Sequence, residues 1–280
     1  MRVPAATVLN RNERIFAANR ASGNIAVAVG MAAGRARRMR VQEDGSLRVR
    51  FPNADEKTLE AIILNTAGGM TGGDRFNIDI AIGAGANLTA GTAAAEKIYR
   101  SLGPDASVAV TLKVGEAGRL AWLPQETILF DRARLSRRID VDLADSASLV
   151  MAEAVVFGRS AMDEIVMHGS LTDRWRVRRN GRLLFAETLR LDGEIAKKLT
   201  TQAIAAGGVA VATVLIVPGS DDKVAAVRAL ADTHVGEVGI SAWNGIAVVR
   251  LCAESGAALH RDLAAVLAAL DAPLPRLWLS

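Results

Sequence analysis

The sequence predicts a mainly β protein: stacked or coiled β-sheets forming one elongated domain over residues 1–280, β-rich over 1–218, with two α-helices in the stretch 219–280. Three observations carry this expectation. Apolar and polar residues alternate in short segments along most of the chain, the punctuation between them is rich in glycine, and helical periodicity is confined to two late segments. Strands do not alternate with helices, so a Rossmann or TIM architecture is not expected.

In chain order, the alternating segments fall around residues 24–30, 46–51, 59–65, 76–82, 108–114, 139–143 and 173–178, followed by GRLLFAETLRL, VAVATVLIVPG and GIAVVRLCA. Between the third and fourth lies NTAGGMTGGD (65–74). A phosphate loop of the P-loop kind needs a lysine, a Ser/Thr and a following helix. This stretch has none of them; it ends in Asp74 and leads into RFNIDIAIG, which alternates like a strand. It reads as a β-corner, with Asp74 fixing the turn through backbone N–H groups or, in the other option, facing the interior. Asn180-Gly181 and Asn244-Gly245 are each the dipeptide of a type I′ hairpin turn. The first helix is expected from Asp221, with Val224, Val227 and Leu230 on one face and acids in its first turn. The second follows a serine N-cap at Ser255, with Leu259, Leu263, Val266, Leu267 and Leu270 on one side and Pro273 beyond its end.

A weak repeat links GANLTAGTAAAE, GRLAWLPQE, SASLVMAE and GRLLFAE through Leu88, Leu120, Leu149 and Leu183, spaced 32, 29 and 34 residues apart. That is the size of one layer of a stacked β-structure. Each copy closes on a glutamate: Glu96, Glu126, Glu153 and Glu187.

Composition narrows the function classes. Half the residues are hydrophobic but only 4% are aromatic. Arginines cluster at 35–40, 132–138 and 174–182 and supply most of the +4 net charge. Almost no aromatic side chains interleave with them, so single-strand nucleic-acid binding is not expected; solvated strand faces account for the clusters, with an acidic protein partner as the minority reading. The single cysteine, Cys252, leaves no internal disulfide or CxxC site. The N-terminus lacks the order of a signal peptide and no apolar run reaches membrane-spanning length, so the chain is read as cytoplasmic and soluble.

No acid–base machinery stands out. His168, His234 and His260 are far apart and in no metal-binding spacing, and there is no GxSxG elbow. The repeat glutamates are the exception, because a carboxylate in an apolar run is costly unless paired, hydrated or coordinating. They either project into one interior path suited to a weakly held divalent cation, or each pairs with a neighbouring base, Lys97 for Glu96 and Arg159 for Glu153.

NTAGGMTGGD, TAAAEKIYRS, LPQETILFDRARL, EAVVFGRSAM, WNGIAVVR and the terminal PRLWLS, in this order from about residue 60, resemble the urease accessory protein D family, called H in some bacteria. The first fifty residues carry little of this signal. The resemblance implies a non-catalytic, largely β maturation factor with no permanently bound cofactor. It implies binding to urease apoprotein and to the F and G accessory partners, G being the GTPase, and allows a homodimer within that complex. It further implies delivery of nickel to urease through an internal tunnel. Acids closing apolar runs in such a family make Glu153 and Glu187, and then Glu96, Glu126 and Asp74, the expected transient Ni²⁺ path. Leu277, Trp278 and Leu279 are expected either to anchor a partner or to fold back onto the domain's core. The competing reading is an independent β-domain ligand binder or enzyme.

Overall fold

The computed structural model describes residues 19–52, 59–159 and 162–278. In chain order the strands are β1 (Ser22–Ala32), β2 (Arg35–Gly45), β3 (Leu47–Arg50), β4 (Leu59–Asn65), β5 (Arg75–Ile82), β6 (Asn87–Thr92), β7 (Glu96–Ile98), β8 (Ala106–Val114) and β9 (Arg119–Trp122). They continue as β10 (Thr127–Leu129), β11 (Arg134–Leu143), β12 (Ser148–Phe157), β13 (His168–Arg179), β14 (Arg182–Glu194), β15 (Ala210–Val217), β16 (Glu237–Trp243) and β17 (Ile246–Ala253). The helices are α1 (Ile195–Leu199), α2 (Asp221–Arg228) and α3 (Gly256–Ala269).

The strands form two sheets. One has the order β14-β13-β11-β8-β5-β1-β2; the other runs β16-β17-β15-β12-β9-β6-β4-β3, with β10 and β7 paired beside β12. From β5 to β12 the chain passes back and forth between the sheets, so that β5, β8 and β11 pair in parallel in one and β6, β9 and β12 in the other. Parallel neighbours need a long crossover. Here a strand of the opposite sheet supplies it, and the architecture is that of a coiled, β-solenoid-like stack.

The repeat spacing is the length of one coil. Leu88 stands opposite Leu120, and Leu120 opposite Leu149, in a single ladder that Leu59 extends. Leu88, Leu120 and Leu149 are each almost fully buried, a contribution of about 1.5–3 kcal/mol apiece. The fourth copy departs from the pattern: Leu183 lies on β14 of the other sheet and is exposed. Its strand is the antiparallel arm of a hairpin, so the spacing of 34 measures a reversal of the chain and not another coil.

Inward residues of both sheets form one core, with Ile78, Leu112 and Ile139 meeting Leu120, Met151 and Leu215. A second core lies on the outer face of the ten-stranded sheet, where Val224, Leu259, Leu263 and Val266 pack on Ala152, Val214 and Val249. Both expected helices form, each capped by a serine: Ser220 accepts from the Lys223 N–H at 3.4 Å and Ser255 from the Ala258 N–H at 3.1 Å. The additional α1 is a single five-residue turn. Both Asn-Gly pairs have positive φ at both residues, 49° and 75° at Asn180-Gly181 and 48° and 76° at Asn244-Gly245. These are the turns that close β13-β14 and β16-β17.

The alternation missed β7 and β10, of three residues each, and longer strands of two kinds. β6 and β12 are covered on both faces and read as continuous runs. β2 is exposed along nearly its whole length at the sheet edge and has no apolar face to show.

Candidate functional site

Between the sheets, a polar seam crosses the apolar core. On β11, Leu135, Arg137, Ile139, Val141 and Leu143 are the inward-facing, buried positions, and Arg137 is the one charged residue among them. Its parallel neighbour on β13 is Asp173, which sits in the inward series with Leu171, Trp175 and Val177. From the opposite sheet, β12 presents Glu153 between Met151 and Val155. The Arg137 guanidinium donates through Nη1 to Glu153 Oε2 and through Nη2 to Asp173 Oδ2 at 2.5 Å. Nη1 also reaches Thr127 Oγ1 at 3.3 Å. Two indoles complete the shell: Trp122 Nε1 donates to Glu153 Oε1 at 2.8 Å and Trp175 Nε1 to Asp173 Oδ1 at 3.1 Å. Arg137 Nε alone has no partner among the described residues.

Two acids and one base are thus sealed in a core where charge is expensive. Burial pushes the Glu153 carboxyl up to about 7, against the pull of the Arg137 cation. Burial also acts downward on Arg137, but Asp173 and Glu153 outweigh it and hold the guanidinium above its usual value. Burial thus favours the protonated form of Glu153, while the two acids favour the charged form of Arg137.

Two cavities flank this cluster. One, of about 360 Å³, is lined by Asn65, Glu96, Trp122, Thr127, Arg137 and Glu153. The other is small, about 20 Å³, and is lined by Arg137, Glu153, Asp173, Glu187 and Thr213. That volume is room for about one water molecule. Arg137 and Glu153 line both and partition them. In the larger cavity Glu96 accepts from Asn65 Nδ2 at 2.9 Å, and burial raises its pKa to about 7. At the rim of the smaller cavity Glu187 is held by both terminal nitrogens of the exposed Arg250.

The structure therefore brings Glu96, Glu153 and Glu187 onto one seam and leaves the other two expected acids off it. Glu126 lies on the helix side of the ten-stranded sheet, beside His260, Leu263 and Trp278. Asp74 is buried in its corner, where Oδ1 accepts from the Ala21 N–H and Oδ2 from the Thr71 N–H, each at 2.8 Å. It fixes the turn. Gly68, Gly69 and Gly73 there have positive φ, and a Cβ on Gly72 would sit 1.9 Å from Ser101 Oγ.

The expected pairings are also corrected. Arg159 binds Glu164 at 2.8 Å and lies over the Phe130 ring, so it does not serve Glu153. Glu96 accepts from the Asn65 side chain and the Lys97 backbone, and does not pair with the Lys97 ammonium among the described residues. The base that Glu153 does find, Arg137, comes from a cluster that composition assigned to solvated faces. The missed signal was parity: an arginine and an aspartate at inward positions of otherwise apolar alternation. Among the described residues no three His, Cys, Asp or Glu side chains converge as a metal site.

At the C-terminus, Trp278 is buried, stacks on His260 with ring centroids 5.1 Å apart, and donates through Nε1 to the Leu123 carbonyl at 3.1 Å. It folds back onto its own core and is not an exposed anchor. Leu277 is exposed, and Leu279 lies outside the described residues.

A family model described as UreD urease accessory protein matches residues 21–279, a span that includes most of the first fifty residues as well as the later motifs. The chain is 57% identical over 269 residues to the protein named Urease accessory protein UreD of Rhodopseudomonas palustris strain BisB5, covering 96% of this chain and 95% of that one. It is 54% identical over 277 residues to the protein of that name in strain BisA53, with 99% and 96% covered. To the one in Bradyrhizobium diazoefficiens it is 52% identical over 272 residues, with 97% and 99% covered.

Proposed function

The chain belongs to the UreD urease accessory protein family, and from that premise we propose that it carries Ni²⁺ toward urease along the seam from Glu96 through Glu153 to Glu187. In this reading it is a non-catalytic, cytoplasmic maturation factor that binds urease apoprotein and the F and G accessory partners, in a complex open to a homodimer. The observation that carries the reading is the seam itself: three carboxylates lining two cavities that share Arg137 and Glu153 inside an apolar core. Carboxylate oxygens hold nickel less tightly than imidazole or thiolate, which suits transfer over storage. Arg137 adds a reason for transience. It already occupies Glu153 and Asp173, so an entering cation competes with a resident guanidinium and gains only a shallow well. Protonation of Glu96 and Glu153 near pH 7 acts in the same direction, since each proton must leave before its oxygens ligate. No helix among the described residues is long and apolar enough to cross a membrane.

The test is urease activation in cells that carry Glu153→Gln or Glu96→Gln, with assembly of the accessory complex followed by pull-down. Both variants keep side-chain shape and remove the charge. The expected result is normal assembly with activation reduced at least about tenfold, equivalent to about 1.4 kcal/mol. Normal activation by both variants would sink the seam as a nickel route. Failed assembly would assign these residues to structure alone.

A further inference from the structure

A second large cavity, about 460 Å³, lies away from the seam, where β6, β9 and β12 begin and where Lys223 of α2 and the segment after α3 reach them. Its apolar walls include Leu120, Val150, Val217 and Pro273. Three hydrogen-bond donors in its lining have unused capacity. Thr89 is 3% exposed, and its hydroxyl has no hydrogen-bond partner among the described residues; a buried hydroxyl left in that state is costly. Lys223 Nζ donates to the Pro218 carbonyl at 2.8 Å and has no ion pair among the described residues, and burial draws its pKa down. Arg119, in the same lining, makes no side-chain hydrogen bond or ion pair among the described residues. Among the described residues Asp271 is the one acid of the lining, exposed and without an ion pair, so two bases stand against one acid, a balance of +1.

We propose that this cleft binds a small organic monoanion, a carboxylate on an apolar body, with the carboxylate held by Lys223, Arg119 and the Thr89 hydroxyl. The single net positive charge matches a monoanion better than a dianion such as phosphate. The volume falls in the range of small-molecule sites, in which apolar walls surround a few convergent polar groups. An anion also serves two unsatisfied groups: it gives the Lys223 ammonium a counter-charge and the Thr89 hydroxyl an acceptor. The site shares no residue with the seam, and its occupancy is separate from nickel transfer.

The test is calorimetric or ligand-detected NMR titration of the full chain with hexanoate, hexanol and inorganic phosphate. Hexanoate is expected to bind with a dissociation constant of about 1 mM, as its handful of heavy atoms allows, and hexanol and phosphate at least about tenfold more weakly. Lys223→Met and Thr89→Val are expected to weaken hexanoate at least about fivefold, whereas Lys223→Arg, which keeps the charge, and Glu153→Gln, which lies in the seam, leave it within about threefold. No hexanoate binding up to about 20 mM, equal binding of hexanol or phosphate, or unchanged binding by Lys223→Met overturns the proposal. Thr89→Val is nearly isosteric, so its thermal unfolding checks that lost binding reflects the missing hydroxyl and not a lost fold.

Discussion

At the scale of single residues, Arg137 decides how the core tolerates its acids. Glu153 has a folded pKa of about 7 against an ordinary 4.5, so between those values the folded chain holds a proton that the unfolded chain has released. Stability from this group therefore falls as pH rises from about 4.5 to 7 and is level above that window, a change of up to about 3 kcal/mol. Glu153→Gln is expected to flatten that part of the profile of urea midpoint against pH; a slope equal to that of the parent protein would place the titration elsewhere. Removing the cation acts in the opposite sense. Arg137→Met leaves Glu153 and Asp173 buried without their partner, at a cost of about 3–5 kcal/mol when both are ionised. The loss is expected to be largest near pH 8 and smaller near pH 5, where Glu153 is protonated. A loss independent of pH would show that packing, and not the ion cluster, accounts for it. This cluster was only half legible in the sequence. The glutamate announced itself by standing in an apolar run, but its partners lie 16 residues before it on one strand and 20 after it on another, and only the pairing of β11 with β13 brings them together. Inward parity is the local trace of that pairing, and both Arg137 and Asp173 carried it.

At the scale of elements, the leucine ladder and the C-terminal segment make separate expectations. Leu149 is buried in the parallel ladder, so Leu149→Ala is expected to cost about 2–5 kcal/mol. Leu183 has the same place in the sequence repeat but stands exposed on β14, and Leu183→Ala is expected to stay within about 0.5 kcal/mol of the parent. Chemical denaturation of the pair separates a structural repeat from a textual one; equal losses would contradict the ladder. The coil length was readable because a stacked fold returns to the same register after each turn, and the hairpins because Asn-Gly demands its turn. What periodicity could not supply was which strands share a sheet, since β6, β9 and β12 are buried on both faces and carry no parity to read. The C-terminal segment follows the same logic of burial. Gln125 Nε2 donates to the Leu277 carbonyl at 3.1 Å and the Arg276 N–H to Glu60 Oε1 at 3.1 Å, on either side of the buried Trp278. Truncation after Pro275 is expected to lower stability by about 3–5 kcal/mol through loss of the tryptophan alone. A truncated chain of unchanged melting temperature that failed to bind the F partner would instead return this segment to a docking role.

At the scale of the whole molecule, the two sheets divide the labour. Their inner faces enclose the seam, while the outer face of the ten-stranded sheet carries α2, α3 and a core of its own, so the interior can hold charge without these two helices having to close over it. A route of this kind makes a demand that individual carboxylates do not: it must be open along its length. The larger cavity is lined on one side by Ala93, Ala94 and Ala95, small residues that precede Glu96 and leave it room. Ala95→Trp adds a large side chain there while leaving every acid and Arg137 in place. If nickel travels the seam, this variant keeps its fold, still assembles with urease and the accessory partners, and activates urease at least about tenfold less than the parent. A neutral substitution that blocks as strongly as Glu153→Gln distinguishes a path from a set of binding groups. Full activation by Ala95→Trp, with the cavity filled, would mean that nickel reaches urease by another surface and that the buried acids serve only to hold the two sheets together.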